Sequence, residues 1–283
     1  MKTEMQNEVR FKLAAIDLDG TLLGPAHDVS AENFEAIERL EAAGTQVVLA
    51  SGRHYHSMQK YVKMLPRLQW VVSCQGGEVS SADRSIVLGR KFMPAAEVRR
   101  NLALADSLGF TVAAYTVEGV VTNASTNARS DFEMKRYTDL AGHRPVTLKA
   151  DELMSRDMLK VIWMGDPAVI DGLVLPEVTS ATVQAVRTQA RFLEFMPAEA
   201  SKGNALELLA RRLGIHAAEA VVFGDGDNDI PMFEWAGTSV AMPHGWPLAV
   251  RSAKYVAPAG PSETAFARGV DMVLQPGAEC CGV

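Results

Sequence analysis

Asp17 and Asp19 stand two positions apart, directly after the apolar run Leu13-Ala14-Ala15-Ile16 and directly before Gly20-Thr21. The glycine lets the chain turn sharply, which brings both acids near one point. A strand end with solvated turn acids would look the same, because Asp-Gly is a common turn pair. A second cluster, Gly224-Asp225-Gly226-Asp227-Asn228-Asp229, follows the run Ala220-Val221-Val222-Phe223. Three acids in five residues converge only at a cost. Two like charges about 4 Å apart repel by ~4 kcal/mol at an effective dielectric of 20. Either the acids point apart or a cation joins them. An EF-hand is excluded, since counting from Asp225 puts Ile230 at the glycine position and Ala236 at the bidentate-Glu position. A dinucleotide fingerprint is excluded as well, because Asp229 occupies its third glycine. With two acid clusters at equivalent strand ends, one shared Mg²⁺ is the economical reading.

Two further segments suit an anion. Ser201-Lys202-Gly203 opens an amphipathic stretch. Lysine and glycine are both poor choices for a first helical turn, whose end is already positive and whose interior glycine costs roughly 1 kcal/mol against alanine. The pair makes sense if the ammonium and the free N–H groups bind an anion together. A surface lysine on a frayed turn is the alternative. Ser51-Gly52-Arg53 ends the apolar run Val47-Val48-Leu49-Ala50, and a serine at such a turn is usually structural. Its weight comes from the other three segments. Carboxylates with a cation on one side, and a lysine and a hydroxyl on the other, suit a phosphoryl group.

These segments need rigid elements to place them. Leu13–Ile16, Val47–Ala50 and Trp70–Ser73 read as buried strands. Between them fall a helix capped by Ser30, with Phe34, Ile37 and Leu40 on one face and Gly44 at its end, and a second helix stopped by Pro66. The pattern returns with a helix over 201–213, a strand at 220–223, a helix over 229–235 and a strand over 238–242. Strands alternating with helices predict a doubly wound, Rossmann-like parallel α/β sheet. The middle reads differently: a helix from Pro94 to Leu108, a hairpin over 110–122, a strand at 159–164, a helix near 168–175, then strands at 182–186 and 192–195. The expected organisation is a core of residues 1–82 and 195–283, carrying an inserted α+β domain of residues 83–194.

The 283 residues are 48% hydrophobic and 22% charged, which excludes a disordered or fibrous chain. A net charge of −6 shows no footprint for nucleic acid. No apolar run is long enough for a membrane span, and Met1–Arg10 has no signal-peptide core. Three cysteines are too few for a disulfide framework, and Cys280-Cys281-Gly282-Val283 only loosely resembles a prenylation box. The expectation is a cytoplasmic protein.

In chain order, Asp-x-Asp-Gly-Thr at Asp17–Thr21, then Ser51, Lys202 and Gly-Asp-x-x-Asn-Asp at Gly224–Asp229 resemble the motifs of the haloacid dehalogenase-like (HAD) phosphatase superfamily. Only 32 positions separate Asp19 from Ser51, whereas 151 separate Ser51 from Lys202. That layout resembles the Cof-type branch (subclass IIB), whose cap domain lies between the second and third motifs. Ile230-Pro231-Met232-Phe233 and Ala236-Gly237-Thr238-Ser239-Val240-Ala241-Met242 extend the resemblance. The chain departs from the family at Gln75-Gly76-Gly77, where Asn-Gly-Ala is common. It departs again at His244-Gly245, where Asn-Ala usually follows the Ala-Met pair, and at Pro258-Ala259-Gly260-Pro261.

The resemblance implies a Mg²⁺-dependent phosphatase acting on a small phosphate ester, a sugar phosphate by family analogy. Asp17 would be the nucleophile that forms an aspartyl-phosphate. Asp19 would protonate the leaving alkoxide and then deprotonate the attacking water, its backbone carbonyl serving the ion. Asp17 and Asp225 would be the other Mg²⁺ ligands, with Asp229 behind them orienting the ion's water. Thr21, Ser51, Lys202 and Asn228 would hold or orient the phosphate, and Gly52 and Arg53 would belong to the substrate loop. Asp227 reads as a loop acid, His54 and His56 as structural, and Cys74 as a buried filler. The insert would close as a lid, with Tyr115, Arg129 and Lys135 polar or aromatic enough to touch a substrate.

Two rivals share these residues. A phosphomutase or phosphotransferase would pass the phosphoryl group to a sugar hydroxyl. A non-catalytic phosphate-ligand sensor would use the acids and the lysine without turnover, although Asp19, placed to activate water, argues against it. Monomer and homodimer are both compatible with the sequence.

Overall fold

The structure, a computed structural model, describes residues 11–123 and 128–275. Both the Met1–Arg10 start and the Cys280–Val283 end, with the expectations placed on them, lie outside the described residues. In chain order the strands are β1 (Leu13–Ile16), β2 (Gln46–Ala50), β3 (Trp70–Ser73), β4 (Glu78–Ser81), β5 (Val87–Arg90), β6 (Thr111–Tyr115), β7 (Val120–Thr122), β8 (Val146–Thr147), β9 (Lys160–Met164), β10 (Val183–Gln189), β11 (Phe192–Pro197), β12 (Ala220–Gly224), β13 (Thr238–Ala241) and β14 (Tyr255–Val256). The α-helices are α1 (Ala31–Ala42), α2 (Tyr55–Met64), α3 (Ala95–Ser107), α4 (Ala128–Ala141), α5 (Ala150–Met154), α6 (Pro167–Asp171), α7 (Leu175–Val178), α8 (Lys202–Leu213), α9 (Ile230–Trp235), α10 (Pro247–Ser252) and α11 (Ala265–Leu274). Among the described residues no helix is long and apolar enough to cross a membrane. The chain divides into two units. One holds the described residues up to Leu49, Arg67–Trp70 and those from Leu206; the other holds Ala50–Pro66 and Val71–Ala205.

In the first unit five parallel strands lie in the order β14-β13-β12-β1-β2. Every residue of β1 and β12 is buried, which is why both read as unbroken apolar runs rather than alternating ones. Ile16 pairs with Phe223, so the two acidic segments leave the sheet side by side at its carboxyl edge. Ser30 caps α1 by accepting the Asn33 amide at 3.2 Å, and Gly44, at φ +85°, turns the chain after its end. The buried face of α1 differs from the expected one: Asn33, Ala36, Ile37 and Leu40 face inward and Phe34 is half-buried. Asn33 is tolerated inside because its side chain donates to the Leu22 carbonyl and accepts the Ala267 amide of α11.

The second unit contains a six-stranded sheet in the order β10-β11-β9-β6-β7-β8. Side-chain alternation splits its core into two layers. Val112, Ala114, Val161, Trp163, Leu193 and Phe195 face one way and pack with Val98, Leu102 and Ala105 of α3. Ala113, Tyr115, Ile162, Met164 and Phe192 face the other way, with Met134 and Tyr137 of α4. The hairpin expected over 110–122 forms as β6 and β7. Two short helices, α6 and α7, replace the single helix expected near 168–175, because Gly172 ends the first and Pro176 opens the second. The β4–β5 hairpin and α4 have no counterpart among the sequence expectations.

Candidate active site

Asp17 follows β1 and donates its amide to the Phe223 carbonyl of β12 at 3.0 Å. Its carboxylate meets those of Asp225 and Asp229: one oxygen from each lies within 4.8 Å of the others. Asp17 is 4% exposed and Asp229 fully buried. At 4.8 Å, two unit charges repel by roughly 3 kcal/mol at an effective dielectric of 20. Three carboxylate oxygens gathered this closely fit a hard divalent cation, which offsets that repulsion.

The backbone builds this trio tightly. Asp229 sits at the end of a 3₁₀ turn, Asp227–Asp229, and its Oδ2 accepts the amides of Asp225 and Gly226, both at 2.9 Å. The helix expected from Asp229 therefore begins at Ile230 instead. Gly20 has φ +83°, and a Cβ there would fall on the Asp225 carboxylate. The neighbouring Thr21 is buried, and its hydroxyl donates to Asp225 Oδ1 at 3.2 Å. Asn228 Oδ1 lies against Gly226, where any Cβ would overlap it. Asp19 does not join the trio. Its carboxylate stands 3.5 Å from His27 Nδ1 and is 40% exposed, so water reaches it. Sequence reasoning missed His244, whose Nε2 lies 2.8 Å from the Gly20 carbonyl; the one signal was its departure from the expected Asn-Ala.

In the second unit Ser51 is buried, and its amide donates to the Val72 carbonyl at 2.9 Å. Its Oγ accepts the Arg53 amide at 3.1 Å, and in that role its own O–H can still donate to an oxyanion. Arg53 is half-buried, with its guanidinium 5.5 Å from the centre of the Tyr61 ring. A left-handed turn straps this loop: Cys74 and Gln75 have φ +53° and +60°, donating their amides to the Arg53 and Ser51 carbonyls at 2.9 and 3.1 Å. Left-handed geometry costs a side-chain-bearing residue roughly 1–2 kcal/mol. At Gly76, φ +89°, a Cβ would strike the backbone of Ser201. The same turn thus abuts the residue that caps α8, where Ser201 Oγ accepts the Asn204 amide at 3.1 Å. Lys202, the first residue of α8, is fully buried. An ammonium enclosed at a helix N-terminus is adverse unless an anion shares the space.

His54 and Cys74 both lie in the interior. His54 is buried, with Nε2 2.9 Å from the Thr116 carbonyl and Nδ1 accepting the His56 amide. Burial, the largest influence, lowers its pKa to about 4. Cys74 is buried, and the same cause pushes its thiol up to about 12, so it supplies no nucleophile. Of the insert residues offered as substrate contacts, Tyr115 is 5% exposed with its hydroxyl accepting from Tyr137 at 3.0 Å. Lys135 pairs with Asp139 on the surface.

A parallel α/β sheet that gathers carboxylates beyond the carboxyl ends of adjacent strands defines an α/β enzyme with its site at that edge. The chain belongs to the haloacid dehalogenase-like hydrolases, whose family profile matches residues 14–264. It is 28% identical over 256 residues to the 5-amino-6-(5-phospho-D-ribitylamino)uracil phosphatase of Escherichia coli, covering 87% of this chain and 90% of the relative. It is 29% identical over 239 residues to the HMP-PP phosphatase of Serratia proteamaculans, covering 84% and 85%. A solved structure of the phosphatase BT1666 from Bacteroides thetaiotaomicron superposes with a TM-score of 0.76 at 26% identity, over 94% of this chain and 97% of that one.

Proposed function

We propose that the protein is a Mg²⁺-dependent phosphatase that hydrolyses a small phosphate ester, of the sugar-phosphate kind, through an aspartyl-phosphate on Asp17. The observation that carries this reading is the carboxylate trio of Asp17, Asp225 and Asp229, standing in a chain whose motif order and relatives are those of phosphatases. Asp17 and Asp225, with the backbone carbonyl of Asp19, would hold the ion. Bound there, Mg²⁺ offsets the charge of the trio and of the phosphate oxygens.

A carboxylate oxygen of Asp17 attacks phosphorus, and the bond to the ester oxygen breaks as Asp19 delivers its proton to that oxygen. Asp19, now a carboxylate, takes a proton from water as the water attacks the aspartyl-phosphate; orthophosphate leaves and Asp17 returns. Its contact with solvent suits Asp19 to both transfers. Ser51 and Lys202 hold the phosphoryl oxygens, and Asn228 is assigned to the same group. Thr21 acts in the phosphate turn by orienting Asp225, and Asp229 fixes the peptide that carries Asp225. Gly52 and Arg53 form the substrate loop. Residues 83–194 serve as a cap that selects the leaving group. Activity in the reducing cytoplasm, as monomer or homodimer, completes the reading.

The test is phosphate release from sugar phosphates, nucleotides, pyridoxal phosphate and an aryl phosphate. Each is run with Mg²⁺, with chelator, and with Asp17→Asn. Release that needs both Mg²⁺ and Asp17 is the expected result. No release from any ester by folded, Mg²⁺-loaded protein would end this reading.

A further inference from the structure

The Ser51–Arg53 loop is held by a second set of groups that the proposed chemistry leaves unused. Lys160, in β9, is 1% exposed, and its Nζ donates to the carbonyl of Gly52 at 2.6 Å and to Glu194 Oε2 at 2.8 Å. Glu194, in β11, is 6% exposed. The same Oε2 accepts Gln75 Nε2 at 3.2 Å, and Oε1 accepts the Thr188 hydroxyl at 3.0 Å. The ammonium also lies 4.3 Å from the centre of the Tyr115 ring. Gly52 closes against this set, since a Cβ there would fall on the Gln75 amide.

A buried ion pair is a poor device for stability alone, because its desolvation cancels most of its attraction. This one is aimed at a single peptide. Lys160 grips the Gly52 carbonyl between Ser51, whose hydroxyl accepts the Arg53 amide, and Arg53 itself. Gln75, held in its left-handed turn, binds the Ser51 carbonyl through its amide and Glu194 through its side chain. Asparagine, common at this position in the family, is one methylene shorter than Gln75. We propose that Lys160, Glu194 and Gln75 are positioning residues that set the Ser51–Gly52–Arg53 loop for the phosphoryl group. This rests on the reading of Ser51 as a phosphate-holding residue.

The test compares three variants with the parent protein: Lys160→Met/Glu194→Met, which removes both charges together so that neither is stranded, Gln75→Asn, and Ser51→Ala. The readouts are the inhibition constant of orthophosphate, the KM and kcat for para-nitrophenyl phosphate, the Mg²⁺ dependence and the thermal midpoint. Expected for the double variant is a roughly tenfold or larger rise in both the orthophosphate constant and KM, with Mg²⁺ dependence unchanged. Gln75→Asn shifts the same two constants in the same direction while keeping the ion pair, which guards against a double variant that fails to fold. A merely structural network would lower the thermal midpoint and leave both constants alone, and that result overturns the proposal. If Ser51→Ala also leaves them alone, the phosphate reading of Ser51 is what has failed, and the positioning role goes with it.

Discussion

Asp229 bonds to the amide of Asp225, and through the same Oδ2 atom to that of Gly226, so one carboxylate oxygen clamps the peptide that presents another carboxylate. The negative charge of Asp229 is thereby shared with two N–H dipoles, which lets it stay buried beside two other acids.

That clamp separates two roles by substitution. Asp229→Asn keeps an oxygen for both amides, so its stability stays within about 1 kcal/mol of the parent. Asp229→Ala strands one buried and one part-buried donor and loses roughly 2–3 kcal/mol. Denaturant midpoints measure both. Equal losses in the two variants would show that the charge, not the acceptor, holds the turn.

The trio also makes a prediction about metal that needs no activity. Mg²⁺ at about a hundred times its dissociation constant raises stability by about 2.7 kcal/mol, read as an upward shift of the thermal midpoint against chelator. Asp225→Asn abolishes that shift. A thermal shift that survives in Asp225→Asn would remove that residue from the cation site.

Three glycines grade the backbone argument. A Cβ at Gly119 meets nothing within 4 Å, so Gly119→Ala is close to neutral. Gly214 is equally open but has φ +69°, and alanine there costs roughly 1–2 kcal/mol. Gly76 combines φ +89° with a clash against the Ser201 backbone, which neither partner can relieve by a rotamer change. Gly76→Ala is expected to exceed both, at about 3 kcal/mol or more, and to weaken orthophosphate binding because the turn abuts both the Ser51 loop and Ser201. Thermal melts of the three variants give the order directly.

Much of this was legible in the residues because local rules and the fold agree. Continuous apolar runs gave β1, β2, β3 and β12 to within a residue, and Ser30 and Gly44 bracket α1 as their capping chemistry requires. What escaped depended on partners distant in sequence. Asn33 took the inward place expected of Phe34 because Leu22 and Ala267 satisfy its amide. The β4–β5 hairpin is only partly apolar, and its buried Glu78 is legible only once Arg84 and Arg90 are seen to pair with it. Likewise the loop at Ser51 was visible as a serine, glycine and arginine, whereas Lys160, 108 residues away, touches it only in the folded chain.

The stability of the fold depends on pH through His54. His54 is neutral in the folded protein: Nε2–H serves the Thr116 carbonyl, Nδ1 serves as acceptor for His56, and burial lowers the pKa from 6.5 to about 4. In the unfolded chain the ring takes a proton below about pH 6.5. The unfolded state therefore binds more protons between those two values. Stability is full above pH 6.5 and is lost progressively as the pH falls to about 4, by roughly 3 kcal/mol in all. Glu78 loses its contribution lower on the scale, since its bonds with Arg84 and Arg90 outweigh burial and hold its carboxyl below the usual value. Denaturant unfolding at pH 7 and pH 5, in the parent and in a His54 variant, measures the histidine's share. His54→Gln, which can still donate to Thr116, flattens that interval while the steeper acid limb below pH 4.5 remains. An unchanged slope in the variant would assign the interval to another group, with His56, whose pKa burial also lowers, the next to replace.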